Sequence, residues 1–253
     1  MDLGLEDKVA IVTGGSRGLG RAISRGLAAE GAKVAVNWRE NADAADALVA
    51  EIARTHGTEA LTVKADVSQE ADIDAMFRLT ETELGRVDVL VNNAGVWPTA
   101  YVQDMTLDAW NHTLAVNLTG PLLASRAAVR RWLATGVKGS IVNVSSQAAF
   151  RGSTTGHAHY AASKAGLIAL TVSLAREVAP HGIRACAIAA GMMDTDMARD
   201  ALEQNAQAYL DRIPLGRIAD PSEIARVAVF LASDRASYMT GVTVNVTGGM
   251  LMG

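Results

Sequence analysis

The chain has 253 residues, of which 49% are hydrophobic, enough to bury a sizeable core, and its formal net charge is −4 at pH 7. This charge excludes the broad basic face that nucleic-acid binding usually needs, and a single cysteine excludes an internal disulfide. No apolar run approaches the roughly 18 residues of a membrane span, and the first residues lack the pattern of a signal peptide. We therefore expect a soluble, cytoplasmic protein.

Seven short apolar runs alternate with helical patterns along the chain. In the first helical segment, Leu19, Ile23 and Leu27 follow the spacing of one helix face. Most apolar runs are continuous, which is typical of strands covered on both sides. Strand–helix alternation with short connections predicts βαβ units, a parallel sheet and a single domain over residues 1–253. The strands are predicted over residues 8–13, 33–38, 59–65, 87–93, 139–146, 183–189 and 241–246.

Residues 13–20, TGGSRGLG, follow the first predicted strand and open the first predicted helix. Gly14, Gly18 and Gly20 stand where the chain must turn tightly and bring backbone N–H groups close to an anion at a helix N-terminus. Their spacing differs from the G-x-G-x-x-G of the standard dinucleotide fingerprint. We interpret the segment as a phosphate-binding loop; a simple turn without a ligand is the alternative.

The end of the second strand bears on which dinucleotide would bind. A site that prefers NAD usually has an acidic residue there, which accepts from the ribose 2′-hydroxyl. Here the strand ends in Trp38 and Arg39, and a guanidinium can bind a 2′-phosphate through two hydrogen bonds. Arg17 in the glycine loop is a second cation near the same place. The sequence therefore favours NADP(H) over NAD(H), unless Arg39 is only a solvated surface charge.

Residues 157–166, HAHYAASKAG, place Tyr160 and Lys164 one turn apart on one face of a predicted helix. A tyrosine that covers the core and a lysine that reaches water would also explain the pair. As a site, the pair is chemically useful, because an ammonium about 4 Å from a phenol could lower its pKa from about 10 by up to about three units. His157 and His159 have no clear acidic or cysteine partner nearby in sequence, so we predict no metal site.

The longest stretch between predicted elements covers residues 192–220 and is mostly polar. A long loop inside a compact domain is often a lid over a binding site. We predict a substrate flap here, with a plain surface excursion as the alternative.

Five short motifs occur in order along the chain: TGGSRGLG at 13–20, NNAG at 92–95, VNLTG around Asn117, NVSS ending at Ser146 and YAASK at 160–164. With these motifs, the chain resembles the short-chain dehydrogenase/reductases from end to end. The resemblance implies an α/β fold of the doubly wound Rossmann type, with a seven-stranded parallel sheet.

The resemblance also implies roles for single residues in a catalytic segment over 145–164. Tyr160 would be the acid/base, Lys164 would lower its pKa and bind the nicotinamide ribose, and Ser146 would hold the substrate carbonyl. Asn117 would support a water that links Lys164 to solvent. The implied cofactor contacts are Gly14, Ser16, Arg17, Gly18, Leu19, Gly20, Arg39, Asp66, Val67, Asn92, Ala94, Gly95, Tyr160, Lys164, Gly191 and Thr195.

Within the family, the likeness is greatest to 3-oxoacyl-[acyl-carrier-protein] reductases of fatty acid biosynthesis. It implies hydride transfer between NADP(H) and a ketone or secondary alcohol, with acyl carrier protein as a partner and a homotetramer as the assembly. A sugar, polyol or other small-alcohol dehydrogenase is the alternative, and a non-catalytic dinucleotide-binding regulator is a remote one. An acidic carrier would need a basic dock, for which the candidates, unless they form only a solvated face, are Arg130, Arg131, Lys138 and Arg176.

Overall fold

The computed structural model describes residues 2–153 and 155–252. Met1, Thr154 and Gly253, which belong to the predicted domain 1–253, lie outside the described residues. Within the described residues, seven strands alternate with helices, as the apolar pattern predicts. The strands are β1 (Val9–Val12), β2 (Lys33–Trp38), β3 (Ala60–Lys64), β4 (Val87–Asn92), β5 (Ser140–Ser146), β6 (Arg184–Ala190) and β7 (Thr243–Val246).

The helices begin and end at residues whose chemistry explains their bounds. The side chain of Asn41 accepts a hydrogen bond from Ala44 N–H at the start of the second helix, which ends at Gly57 with φ of +69°. A π-helical segment, Ala115–Thr119, joins the fourth helix to the fifth. The α-helices are α1 (Gly18–Ala29), α2 (Ala42–His56), α3 (Glu70–Glu83), α4 (Leu107–Leu114), α5 (Gly120–Thr135), α6 (Ala148–Arg151), α7 (Ala158–Val178), α8 (Arg199–Leu210) and α9 (Pro221–Ala232).

The sheet has the strand order β3-β2-β1-β4-β5-β6-β7, and all neighbouring strands are parallel. The chain moves outward from β1 to β3 and then returns to β4 on the other side of β1. The predicted doubly wound Rossmann fold is therefore confirmed. In such sheets the carboxyl ends of the two strands at this reversal form a crevice that binds ligands.

The core lies on both faces of the sheet. Ala10 and Val12 of β1 belong to one buried cluster with residues of α1 and α9, whereas Val9 and Ile11 belong to a second cluster with residues of α3 and α5. Successive residues of a strand point to opposite faces. Both faces of β1 are thus covered, which explains why its sequence is continuously apolar.

The predicted strand bounds differ from the observed ones by at most two residues. The largest difference is at β7, which begins at Thr243 rather than at residue 241. Gly241 has φ of +69°, which a strand cannot accommodate. In the described part of the chain, no helix combines the length and the apolar content that crossing a membrane requires.

Candidate active site

The glycine loop joins β1 to α1 and is held by the neighbouring strand β2. Gly14 N–H donates to the side-chain oxygen of Asn37 at 3.0 Å, and Gly15 N–H donates to the backbone oxygen of Asn37 at 2.8 Å. Gly14 has φ of +59°, and a Cβ on Gly20 would lie 2.0 Å from the Gly14 carbonyl oxygen. Only glycine permits this approach, so the loop presents bare backbone to the crevice.

A second set of hydrogen bonds ties the glycine loop to the end of β4. The hydroxyl oxygen of Thr13 accepts from the backbone N–H groups of Asn93 and Ala94, both at 3.0 Å. The side-chain NH₂ of Asn93 donates to the carbonyl oxygens of Thr13 at 2.9 Å and Gly14 at 3.1 Å. Sequence reasoning missed Asn37 and Asn93 in this supporting role, although the NNAG motif contains Asn93.

The prediction that Asn92 lines the cofactor site is wrong. Asn92 is buried, and its side-chain NH₂ donates to Asn143 Oδ1 at 2.8 Å and to Ser125 Oγ at 3.1 Å. Asn143 in turn donates to Thr171 Oγ1 at 2.8 Å. Adjacent strand residues point to opposite faces of a sheet. Asn92 therefore serves the packing of α5 and α7, while its neighbour Asn93 reaches the glycine loop.

A cleft of about 640 Å³ runs along the carboxyl ends of the strands. The volume is within the range of small-molecule and cofactor sites. Sequence reasoning did not name several residues that line it, including Asn37, Trp97, His112, Met193 and Met197. The predicted site residues that line it are Gly14, Ser16, Arg17, Gly18, Leu19, Gly20, Arg39, Asp66, Val67, Ala94, Gly95, Ser146, Tyr160, Lys164, Gly191 and Thr195.

The far end of the cleft carries two arginines, Arg17 and Arg39, and two carboxylates, Glu40 and Asp66. Arg39 is ion-paired with Glu40 and lies 3.8 Å from an oxygen of Asp66. Burial would raise the pKa of Asp66, but hydrogen bonds from Ser68 and the charge on Arg39 outweigh it and hold the pKa below its usual value. Arg17 is exposed and forms no ion pair with any described residue. A bound anion would therefore meet Arg17 unpaired and would compete with two carboxylates for Arg39.

Tyr160 and Lys164 lie in the first two turns of α7 and both line the cleft. The Lys164 side chain is 4% exposed, and Nζ donates to the carbonyl oxygen of Val144 at 2.8 Å. Nζ lies 5.8 Å from the centre of the Tyr160 ring. The structure thus brings the phenol and the ammonium to one site, with the ammonium fixed to β5.

The pKa values of this pair differ from the sequence-based expectation. Burial raises the pKa of Tyr160 above its ordinary value, and a hydrogen bond with Ser146 opposes this only in part. Burial also lowers the pKa of Lys164 to about 8. In the chain without ligand, the cost of burying a phenolate dominates the pKa of Tyr160, and the lowering of this pKa by Lys164 stays a prediction.

The two serines at the end of β5 point to different partners. Ser145 Oγ donates to the backbone carbonyl oxygen of Lys164 at 2.9 Å, so Ser145 helps to hold α7 against β5. Ser146 Oγ accepts from Ala148 N–H at 3.2 Å, and Ser146 lines the cleft. Of the two, Ser146 has the side-chain interaction with the Tyr160 phenol.

Asn117 lies in the π-helical segment and is fully buried behind the cleft rather than on its surface. Its Oδ1 accepts from Val96 N–H at 2.8 Å, and its NH₂ donates to Val96 O at 2.9 Å and to Ser163 Oγ at 3.2 Å. A Cβ built on Gly95 would lie 3.3 Å from Asn117 Oδ1 and 3.6 Å from Lys164 Nζ. The π-helical turn therefore places the Asn117 amide beside Gly95, next to which the Lys164 ammonium also lies; π-bulges are frequent at functional sites.

Comparison with known proteins agrees with this geometry. The sequence profile of the family described as "Enoyl-(Acyl carrier protein) reductase" matches residues 14–251. The 3-oxoacyl-[acyl-carrier-protein] reductase of Synechocystis sp. is 42% identical over 249 residues, which are 98% of each chain. The enzyme of the same name from Aquifex aeolicus is 39% identical over 99% of this chain and 100% of its own.

Solved structures give the same result. A short-chain type dehydrogenase/reductase from Mycobacterium marinum superposes with a TM-score of 0.94 at 33% identity, covering 100% of this chain and 98% of that one. A dehydrogenase/reductase from Sinorhizobium meliloti superposes with a TM-score of 0.92 at 36% identity, covering 99% and 98%. This chain is a short-chain dehydrogenase/reductase. The expected family and the expected oxidoreductase class are thus confirmed.

A second, smaller cavity of about 170 Å³ adjoins the large cleft of this short-chain dehydrogenase/reductase at Ser146 and Tyr160. Trp97 lines both cavities, and its ring lies 4.5 Å from the ring of His157 and 6.2 Å from that of Tyr160. His157 Nδ1 is hydrogen-bonded to Pro98 O at 2.9 Å, whereas His159 is buried away from the cavity lining. Ser146 and Tyr160, the predicted reacting groups, therefore lie where the two cavities meet.

Segment 192–220 of the dehydrogenase/reductase borders both cavities. Met193 and Met197 line both of them, and the two ends of the segment meet where Met193 pairs with Ala219. Helix α8 within it has no buried residue, and its backbone departs from helical geometry at Asn205 (φ −144°, ψ 32°). The segment lies where a flap would, and its movement remains a prediction.

The four cations predicted as a carrier dock lie far from this cleft. Lys138 precedes β5, and a strand of seven residues is about 20 Å long, so it is about that distance from Ser146. Arg176 follows Tyr160 by 16 residues on α7, or about 24 Å. Arg130 and Arg131 are near the end of α5, where Arg131 is paired with Glu81 at 3.2 Å. Lys138 and Arg176 are therefore too far from the mouth of the chain's own cleft to form the predicted dock there, and Arg131 is already ion-paired.

Proposed function

We propose that this short-chain dehydrogenase/reductase reduces 3-oxoacyl groups on acyl carrier protein to 3-hydroxyacyl groups with NADPH, in the cytoplasm. The observation that carries the proposal is the position of Ser146 and Tyr160 at the junction of a dinucleotide-sized cleft and a small cavity. Curated relatives that cover the whole chain are named 3-oxoacyl-[acyl-carrier-protein] reductases, which supports the substrate class.

The fit of a dinucleotide rests on the glycine loop. Gly14 and Gly20 form a cradle that a Cβ would fill, and Thr195 lies opposite the loop, since a Cβ on Gly18 would be 3.4 Å from Thr195 Cγ2. We propose that backbone N–H groups of this loop hold the phosphates. Arg17 and Arg39 would hold a 2′-phosphate. β2 itself ends in Trp38, and a bound phosphate would compete with Glu40 and Asp66 for Arg39.

When bound, the dinucleotide supplies hydride chemistry, and the protein's part is to hold the carbonyl and provide a proton. Ser146 Oγ would donate a hydrogen bond to the carbonyl oxygen, and Tyr160 Oη would transfer its proton to that oxygen. The raised pKa of Tyr160 keeps the phenol protonated at neutral pH, as a proton donor for reduction requires. The Lys164 ammonium would stabilise the phenolate left behind, and Asn117 would support proton return from solvent.

The rim of the small cavity supports an acidic partner. Arg151 and Arg212 line it, both are exposed, and neither side chain has a hydrogen bond or ion pair with a described residue. Among the described residues that line this cavity, none is Asp or Glu. We propose these two arginines, in place of the remote four cations, as the contacts for the acidic carrier.

One observation favours a second candidate, a sugar, polyol or small-alcohol dehydrogenase. The small cavity is lined by polar groups of Gln147, Ser153 and Thr155 besides its methionines. Such groups suit a substrate with several hydroxyls. A non-catalytic regulator has no observation in its favour, since the cleft is lined by Ser146, Tyr160 and Lys164 together.

The two candidates are separated by a substrate screen. Purified protein would be mixed with NADPH or NADH and with 3-oxoacyl-carrier, 3-oxoacyl thioesters, sugars and small ketones, and cofactor absorbance would be followed. We expect kcat/KM for the carrier-linked substrate with NADPH to exceed that of free sugars by orders of magnitude. The reverse order would establish the sugar or polyol dehydrogenase, and no turnover of any carbonyl would refute both.

We also propose that the chain assembles as a homotetramer. Leu122 and Leu133 on α5 are 44% and 47% exposed, and Phe230 on α9 is 37% exposed. Apolar side chains on several helices are commonly covered by a second subunit. Light scattering coupled to size-exclusion chromatography should give a mass four times that of the chain; a monomeric mass would contradict the proposal.

A further inference from the structure

Gln147 directly follows Ser146, and backbone hydrogen bonds hold it in the turn that follows β5. Its N–H donates to the carbonyl oxygen of Ala190 at 3.0 Å, and its own carbonyl oxygen accepts from Phe150 N–H at 3.1 Å. Ala148 N–H also donates to Ser146 Oγ at 3.2 Å. The side chains of Ser146 and Gln147 therefore leave a single rigid turn.

The side chain of Gln147 has an unpaired polar atom beside the reacting groups. Its Oε1 is buried and has no hydrogen-bond partner within residues 2–153 and 155–252. Gln147 lines the small cavity together with Ser146 and Tyr160 and does not line the larger cleft. A buried acceptor without a partner destabilises the protein. Rotation of the carboxamide about its terminal bond would turn Oε1 from its buried position into the cavity, where a ligand would supply the missing partner.

We propose that the Gln147 carboxamide hydrogen-bonds a second oxygen of the substrate, next to the reacting carbonyl, and thereby selects such substrates over simple ketones. This inference rests on the proposed ketone reduction. Depending on its rotation, a carboxamide can accept from a hydroxyl through its oxygen or donate to a carbonyl through its NH₂. The partner is thus the hydroxyl of a hydroxyketone or the thioester carbonyl of a 3-oxoacyl chain.

The small cavity is much smaller than the adjoining cleft, at about 170 Å³ against about 640 Å³. We therefore expect it to receive the part of the substrate next to the reacting carbonyl, while a carrier stays outside.

The test is the variant Gln147→Met, which keeps the length of the side chain and removes both hydrogen-bonding atoms. Four substrates would be compared: the N-acetylcysteamine thioester of acetoacetate against 2-pentanone, and hydroxyacetone against 2-butanone. We expect kcat/KM to fall about tenfold or more for at least one oxygen-bearing member and to stay within about twofold for its plain ketone. The substrate pair in which kcat/KM falls for the oxygen-bearing member shows whether the partner of Gln147 is the thioester carbonyl or the hydroxyl.

Gln207→Met is the matched control, because Gln207 lies on α8 outside both cavities and bonds Asp211. We expect it to change neither ratio. Gln147→Met should also leave dinucleotide affinity and the thermal unfolding midpoint unchanged or higher. Equal losses of kcat/KM for both members of each pair, or no loss for any substrate, would overturn the role of Gln147 but not the proposed reductase activity. If the wild-type protein were inactive on all four substrates and on the carrier-linked substrate, the proposed function itself would be overturned.

Discussion

Lys164 Nζ donates a 2.8 Å hydrogen bond to the carbonyl oxygen of Val144, two residues before Ser146 on β5. The ammonium is therefore anchored to the strand that carries the serine, one helical turn from Tyr160. Its burial lowers its pKa to about 8. This shift makes the charge of the site depend on pH close to neutrality.

The first prediction concerns the pH dependence of reduction. Since kcat/KM reports ionisations of the free enzyme, we expect it to fall as pH rises through about 8, where Lys164 loses its proton. Tyr160 stays protonated beyond this point, because burial raises its pKa. A pH–rate profile measured from pH 6 to 10 tests this, and a flat profile up to pH 10 would contradict it.

The same shift predicts an effect of Lys164 on stability. Because the pKa of Lys164 is lower in the folded state, the folded protein binds fewer protons than the unfolded chain between about pH 8 and 10.5. The free energy of unfolding should therefore rise with pH over this range. At pH 7 the buried charge costs roughly 3 kcal/mol. Lys164→Met should therefore lose turnover yet unfold in denaturant at a midpoint no lower than wild type. A clear drop in that midpoint at pH 7 would argue against a strained ammonium.

Tyr160→Phe should remove the proposed proton donor without disturbing the fold. General acid catalysis contributes about 100-fold to 10,000-fold, so we expect a loss of that order in kcat, with dinucleotide affinity unchanged. Tyr101→Phe is the control, because Tyr101 is 52% exposed and lines neither cavity. Stopped-flow measurement of cofactor oxidation would check both variants; near-normal turnover by Tyr160→Phe would refute the assigned role.

The two adjacent serines form a matched pair for mutation. Ser146→Ala removes a donor to the carbonyl oxygen and should lower kcat about 100-fold or more. Ser145→Ala removes the 2.9 Å hydrogen bond to the Lys164 backbone and should cost about 1 kcal/mol of stability while most turnover remains. Kinetics and denaturant unfolding of both variants separate these effects. The reverse pattern would mean that Ser145 holds the substrate.

Arg39→Asp tests the cofactor preference. Losing a charge-assisted contact and adding a carboxylate should weaken NADPH binding about tenfold or more and favour NADH. Arg54→Asp makes the same charge change on an exposed residue in the last turn of α2 and should affect neither cofactor. Titration of both variants with NADPH and NADH by fluorescence decides the matter. Unchanged NADPH affinity in Arg39→Asp would remove Arg39 from the site.

The fold was predictable because each strand is covered on both faces. Val9 to Val12 are all buried, two toward each layer of helices, so the sequence carries a continuous apolar signal. Helix α8 carried a weak signal, because none of its residues is fully buried. The segment around it could be placed only as a long polar stretch.

The residues of the site could be predicted where backbone geometry permits only one residue type. They were harder to predict where their roles depend on burial and on hydrogen-bond partners. Position 20 must be glycine, because a Cβ there would lie 2.0 Å from the carbonyl oxygen of Gly14. A requirement of this kind appears in the sequence as a glycine motif. By contrast, motif matching chose Asn92 rather than Asn93 as the residue near the cofactor. The two differ in the face of the sheet to which their side chains point, which the motif does not reveal. The pKa of Tyr160 also depends on burial, which one helical spacing does not reveal. For Gln147, the sequence shows a polar residue and cannot show that its oxygen has no hydrogen-bond partner among the described residues.

The attachment of α7 to β5 has a consequence for how molecules enter and leave. Two bonds from consecutive strand residues, Val144 and Ser145, hold Lys164 at both its side chain and its backbone. On the opposite side, α8 contributes no buried side chain that would resist displacement. We therefore expect α8 alone to move when substrate enters and product leaves. Tyr160 and Lys164 would then keep their spacing through each catalytic cycle.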